Sequence, residues 1–104
     1  MEKNVIVISG TPGVGKTVVA KELAKKLNAI YVNLTDLVLE KRLYIEYDSE
    51  RDSYIIDEEK VRKEILKISR RYTNKYIIID SHYGEITPKE ILIKIFILRC
   101  DPRI

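Results

Sequence analysis

Hydrophobic positions follow two periods along the chain, and the alternation between them sets out a fold. The run Asn4-Val5-Ile6-Val7-Ile8 is apolar and β-branched on both faces once past Asn4, the pattern of a strand buried within a parallel sheet. From Lys16 to about Leu27 the period changes. Val19, Ala20, Leu23, Ala24 and Leu27 recur at three- and four-residue spacing, which predicts a helix with one apolar face. A short strand is expected around Ile30-Tyr31-Val32. Thr35 then suits the N-cap of a short helix to about Lys41, since its hydroxyl can accept from an unpaired first-turn amide. The stretch from Tyr44 to Ile56 is polar and aromatic without a clean period and reads as a surface excursion. Asp57 is placed to cap a second long helix, with Glu58 and Glu59 in its first turn. Val61, Ile65, Ile68 and Tyr72 lie along one face of that helix, and Arg70 and Arg71 suit its negative end. Tyr76-Ile77-Ile78-Ile79-Asp80 is another apolar strand, ending abruptly at a carboxylate, and Ile93 to Leu98 is a fourth. Strands separated by helices require right-handed crossovers. The expected fold is therefore α/β, a parallel sheet with helices on both faces, and its ligands belong at the carboxyl ends of the strands.

Composition narrows the class without changing this picture. The longest apolar runs, such as Tyr76 to Ile79 and Ile95 to Leu98, fall far short of the roughly 18–20 residues that span a bilayer. Met1-Glu2-Lys3-Asn4 leads straight into a strand without a signal-peptide pattern, and a lone Cys100 permits no intrachain disulfide. A cytoplasmic protein without a membrane partner is expected. The net charge of +3, from 19 basic and 16 acidic residues, is spread along the chain, which argues for a solvated surface and against a nucleic-acid partner. Richness in Ile, Lys and Glu with no Gln is a bias of proteins from hot environments.

The strongest chemical signal lies between the first strand and the first helix. Gly10-Thr11-Pro12-Gly13-Val14-Gly15-Lys16-Thr17 matches G-x-x-x-x-G-K-[ST] at every fixed position. Gly10, Gly13 and Gly15 permit backbone conformations that turn successive amides inward, so that they line a nest for phosphate oxygens. Lys16 would reach the β- and γ-phosphates of ATP as a point charge, and the Thr17 hydroxyl would ligate Mg²⁺. The helix that starts here adds its positive end. A dinucleotide fingerprint also ends its glycine run at a helix, but the Gly-Lys-Thr sequence fits a nucleoside triphosphate better. The alternative is a strand-to-helix turn that binds nothing.

Asp80 closes a buried strand at the sheet edge where ligands sit, where a second carboxylate holds Mg²⁺ or its water shell. The competing role is to cap Ser81 or the turn that follows. His82, the only histidine, lies two residues on and has several open roles: orienting an attacking water, shuttling a proton, supporting the metal's outer shell, or none. The excursion from Thr35 to Asp57 is large enough to hold a second substrate over the same phosphates. It offers Arg42 as a phosphate clamp and Tyr44, Tyr47 and Tyr54 as stacking faces, against simple packing of the tyrosines on the adjacent helix.

Together these segments resemble the adenylate kinase isoenzyme 6 family, the coilin-interacting nuclear ATPases with an archaeal branch. The likeness covers nearly the whole chain. It rests on Gly10 to Thr17, Asn33-Leu34-Thr35-Asp36-Leu37, Leu43-Tyr44 with Tyr47-Asp48, Ile56-Asp57-Glu58, Asp80-Ser81-His82 as the family's Asp-x-His, and Leu98-Arg99-Cys100-Asp101. The resemblance implies a P-loop NTPase fold of the nucleoside monophosphate kinase type, and γ-phosphoryl transfer from ATP to AMP. It also implies ATP hydrolysis and a role in small ribosomal subunit maturation beside a small-subunit ribosomal protein. By the same likeness Gly10, Gly13, Val14, Gly15, Lys16, Thr17 and Val18 bind ATP; Lys16, Asp80 and His82 serve catalysis; and Thr17 and Asp80 hold Mg²⁺. Thr35, Arg42, Tyr44 and Tyr47 then serve AMP, with residues 33–56 as its lobe. Two departures stand out. Leu39 falls where related enzymes can carry a basic residue toward AMP, which leaves Arg42 as the candidate. The sequence also closes at Ile104, where family members continue into a helix, an arginine-bearing lid and further elements, so residues 1–104 are expected to form an incomplete domain. Arg99 and Arg103 lie near the last strand, and neither belongs to a lid. A kinase of the same fold acting on a coenzyme precursor or a sugar-like alcohol is the remaining alternative, and a nucleotide-gated assembly factor or ATPase without kinase turnover is the alternative from another class.

Overall fold

The computed structural model describes residues 3–10, 15–50, 53–82 and 86–98. Its elements run β1 (Val5–Gly10), α1 (Lys16–Leu27), β2 (Ile30–Asn33), α2 (Leu34–Lys41), β3 (Tyr44–Asp48), β4 (Ser53–Ile56), α3 (Glu58–Arg71), β5 (Ile77–Asp80) and β6 (Leu92–Leu98). Four strands form a sheet in the order β2-β5-β1-β6, and each neighbouring pair is parallel. That confirms the α/β architecture expected from the alternating periods.

The apolar runs divide between the two faces of the sheet as pleating requires. Ile6 and Ile8 of β1 and Ile78 of β5 pack with Ala20 and Ala24 of α1 on one face. Val5, Val7, Ile77 and Ile79 pack on the other with Leu34 and Val38 of α2 and Val61 and Ile65 of α3. Helices thus cover both faces. Strands buried on both sides need unbroken apolar runs, which is why β1 and β5 read as such.

Local differences from the sequence expectation have clear causes. The N-cap of α2 is Asn33 rather than Thr35: the Asn33 backbone is extended and its side chain accepts from the Asp36 amide at 3.1 Å. Asn33 both ends β2 and caps α2, so Thr35 falls in the first turn. The excursion after α2 is not irregular. β3 and β4 pair as an antiparallel hairpin, with a register shift between Tyr44 and Glu46 that hides its period. In the turn beyond β3, Asp48 accepts from the Glu50 amide at 3.0 Å. Leu43, Tyr44 and Ile56 anchor the hairpin base in the core beneath α2 and α3. Asp57 caps α3 as expected, accepting from the Lys60 amide at 3.2 Å. Among the described residues no helix is long and apolar enough to cross a membrane.

One polar residue in the interior ties sheet to helix. Asn4, fully buried, donates to the Ser69 carbonyl at 3.0 Å and the Tyr72 carbonyl at 3.1 Å, while the Ser69 hydroxyl donates to its Oδ1. The end of α3 is thereby fixed to the entry of β1. Asn4→Ala takes the Asn4 partner from the buried Ser69 hydroxyl and carbonyl, while the Tyr72 carbonyl keeps the Lys75 amide at 3.1 Å, and unsatisfied buried groups cost about 1–3 kcal/mol each. The expected loss of stability is about 3 kcal/mol, read as a lower urea midpoint at unchanged slope.

Candidate functional site

The carboxyl ends of β1 and β5 and the start of α1 converge on a single carboxylate. Asp80, at the end of β5, is 2% exposed. Its Oδ1 accepts from Lys16 Nζ at 2.6 Å, and its Oδ2 accepts from Thr17 Oγ1 and the Tyr31 hydroxyl, each at 2.8 Å. Lys16 is itself only 8% exposed, so this is an ion pair taken out of water and stabilised by two additional hydrogen bonds. Register explains the meeting. Ile8 of β1 pairs with Asp80, Asn33 of β2 pairs with Asp80 from the other side, and Tyr31 sits two residues earlier on the same face.

Two glycines shape the approach. Gly15 has φ 78° and stands as the N-cap of α1, a left-handed conformation that a side chain disfavours. Gly10, with φ 143°, ends β1 so close to β6 that a Cβ would collide with the Leu98 carbonyl oxygen. Gly13 and Val14 lie outside the described residues, as do Arg99, Cys100, Asp101 and Arg103.

A cleft of about 260 Å³ opens over the carboxylate, walled by Gly15, Lys16, Thr17 and Val18 on one side and by Asn33, Thr35, Asp80 and His82 on the other. His82 is exposed within it. The structure thus brings together Gly15, Lys16, Thr17, Val18, Thr35, Asp80 and His82 of the expected set. Arg42, Tyr44 and Tyr47 do not wall this cleft. Arg42 is the exposed, left-handed C-cap of α2, Tyr44 packs on the core, and Tyr47 lies on the hairpin. The Tyr54 side chain lies outside the described residues.

Sequence reasoning missed Tyr31 and Asn33. Tyr31 reads as an apolar strand residue, and its hydrogen bond depends on the β2-β5 register, which no local pattern reveals. Asn33 carried a signal, since Asn before a helix is a cap, but Thr35 two residues on is also a favoured capping type.

The charges are tuned by these contacts. Burial alone would raise the Asp80 carboxyl, but the hydrogen bonds from Lys16, Thr17 and Tyr31 and the lysine charge outweigh it, holding the group below the ordinary carboxylate range. The Tyr31 hydroxyl moves above the usual phenol value, first through burial and then through its bond to Asp80 and that group's negative charge. Thr17 Oγ1 and Asp80 Oδ2, 2.8 Å apart at the cleft wall, are hard oxygen donors, the set that suits Mg²⁺ when phosphates and waters complete its shell. The residues present fit that ion.

A family model described as "AAA domain" matches residues 6–104. The chain belongs to that family. It is also similar to proteins named "Putative adenylate kinase" in several archaea. The Saccharolobus solfataricus protein is 42% identical over 98 residues, covering 94% of this chain and 50% of that protein. The Methanocaldococcus jannaschii protein is 40% identical over 99 residues, covering 95% and 53%, and the Pyrococcus furiosus protein is 33% identical over 105 residues, covering 95% and 50%. The chain spans about half the length of the curated relatives it matches. Its P-loop NTPase fold accords with the parallel sheet and the glycine-bounded start of α1.

Breaking the Lys16–Asp80 pair tests the electrostatics. Asp80→Asn leaves Lys16 buried without an anion, and removing one partner of a buried pair costs about 3–5 kcal/mol. The sign with pH follows from the lowered carboxyl. An unfolded Asp takes its proton near pH 3.9 and the folded Asp80 only below that, so the stabilisation is complete above about pH 4 and is lost as pH falls through the folded value. The stability gap between the unaltered chain and Asp80→Asn, measured by urea unfolding, should be constant from pH 8 to pH 5 and shrink in stronger acid.

Proposed function

We propose that this domain carries the ATP site of an adenylate kinase, transferring the γ-phosphoryl group of ATP to AMP. The observation that carries the reading is the convergence of Lys16, Thr17 and Asp80 at one cleft where the strands end, beside the α2 lobe. The names of the archaeal relatives support the same reading.

Phosphoryl transfer needs little covalent chemistry from a protein; positioning and charge neutralisation supply most of the acceleration. Lys16 provides a fixed ammonium at the mouth of the Gly15 turn, and the first amides of α1 add the helix's positive end toward the phosphates. Thr17 and Asp80 would hold Mg²⁺, which when bound neutralises charge on the β- and γ-phosphate oxygens. Residues 33–56, comprising the Asn33-capped α2 and the hairpin, form the lobe assigned to AMP. Thr35 faces the cleft from its first turn, and Arg42, Tyr44 and Tyr47 would serve an acceptor that reaches beyond the cleft along the lobe.

A finer reading, the isoenzyme 6 type with ATP hydrolysis and a small-subunit ribosomal protein as partner, draws on the Asp80-Ser81-His82 signature. A specific placement favours the hydrolytic part: His82 is exposed in the cleft wall beside Asp80, where an imidazole can orient water.

ADP formation from Mg-ATP with and without AMP separates these readings. The kinase yields two ADP per ATP consumed, only when AMP is present. Lys16→Ala should lower this rate by about 10²–10³-fold, the usual loss on removing one preorganised donor to developing charge. Phosphate release indifferent to AMP would overturn the kinase assignment and support the hydrolase, in which case His82→Ala should depress release while leaving ATP affinity unchanged.

A further inference from the structure

Among the described residues Asp80 has three donors, and they differ in what else they must do. Lys16 is a cation beside a phosphate site, so an incoming triphosphate competes with Asp80 for its ammonium. Thr17 presents the same hydroxyl to Asp80 and to a metal. Tyr31 has neither obligation. It is neutral as an ordinary phenol at physiological pH, and it reaches Oδ2 at 2.8 Å from β2 on the opposite side of the carboxylate's strand.

We propose that Tyr31 is a positioning residue of this site, whose hydroxyl keeps the Asp80 carboxylate aimed at the metal position when Lys16 engages phosphate. The inference rests on the nucleotide-site reading above.

The ring is built to stay where it is. Tyr31 packs against the Ile6, Ile8, Ala20 and Ile78 cluster between α1 and the sheet, and Lys21 Nζ lies 5.6 Å from its ring centroid. A phenol fixed by its own packing can orient a carboxylate without being drawn to the phosphates. Once Lys16 turns to phosphate, Oδ1 loses its charged donor, and the carboxylate's orientation depends on the two bonds to Oδ2. One of these comes from Thr17, which is shared with the ion. Partners that orient a metal ligand in this way are typically worth about 10- to 100-fold in metal affinity or activity.

The test is the Mg²⁺ dependence of nucleotide binding, read with a fluorescent N-methylanthraniloyl derivative of ATP rather than by turnover. Tyr31→Phe keeps the ring and its contacts and removes only the donor. It should bind the derivative in excess EDTA within about twofold of the unaltered chain, while the Mg²⁺ midpoint for tighter binding rises about tenfold. Lys21→Ala, which touches the ring but not the carboxylate, should leave the midpoint where it is. An unchanged midpoint in Tyr31→Phe overturns the inference, and so does an equal loss of affinity with and without Mg²⁺, which would make Tyr31 purely structural. Failure of the unaltered chain to bind the derivative at all would instead defeat the nucleotide-site reading.

Discussion

A single buried carboxylate organises this protein's chemistry. Asp80 could not remain ionised at 2% exposure without partners, because an isolated buried charge is too costly. Among the described residues it is supplied with three, from two elements: Lys16 and Thr17 at the start of α1 and Tyr31 on β2. Each donor can be present only if its element is in register with β5. The strand order β2-β5-β1-β6 places β5 between the two strands that lead to those donors, so the carboxylate is met from both sides.

The rest of the fold holds that convergence still. β1 must run its full length to Gly10 and stop beside β6 without a side chain, since a Cβ there meets the Leu98 carbonyl. α1 must then begin at once, and the left-handed Gly15 allows it to, so that Lys16 and Thr17 fall in the first turn rather than a turn later. On the opposite face, α3 is held by the Asn4 network as well as by Val61 and Ile65, which fixes the entry end of β1 while Asp80 and Lys16 fix the ligand end. Polar contacts thus brace both ends of an otherwise apolar sheet. Apolar contacts tolerate small slips; buried hydrogen bonds do not, because a slip leaves donors and acceptors unpaired.

What could be read from the sequence follows the range of the interactions involved. β1, β5, α1 and α3 were legible because their signals are local: unbroken β-branched runs, a four-residue apolar period and the Asp57 cap. Lys16, Thr17 and Asp80 were legible because a motif and a strand-ending carboxylate mark them directly. The hairpin was not, since the register shift between Tyr44 and Glu46 breaks the alternation that identifies strands. The Thr35 cap failed for a subtler reason: Asn33 and Thr35 are both good capping types two residues apart, and the choice is made by where β2 must stop to pair with Asp80. Tyr31 was invisible because its role lies in a partner 49 residues away.

That last case bears on how the site discriminates between ligands. Lys16 has one ammonium and two claims on it, the Asp80 carboxylate at 2.6 Å and any phosphate entering the cleft. On the proposed nucleotide-site reading, binding would be an exchange of anionic partners rather than a simple addition of charge. The exchange is favourable only if Asp80 retains enough stabilisation to stay charged and buried. Two neutral donors on Oδ2 provide part of it and a divalent ion would provide the rest, which on that reading would tie the affinity for a triphosphate to the ion that accompanies it. On the same reading a neutral ligand would offer Lys16 less than Asp80 already does, so the buried pair would discriminate against it without any steric barrier.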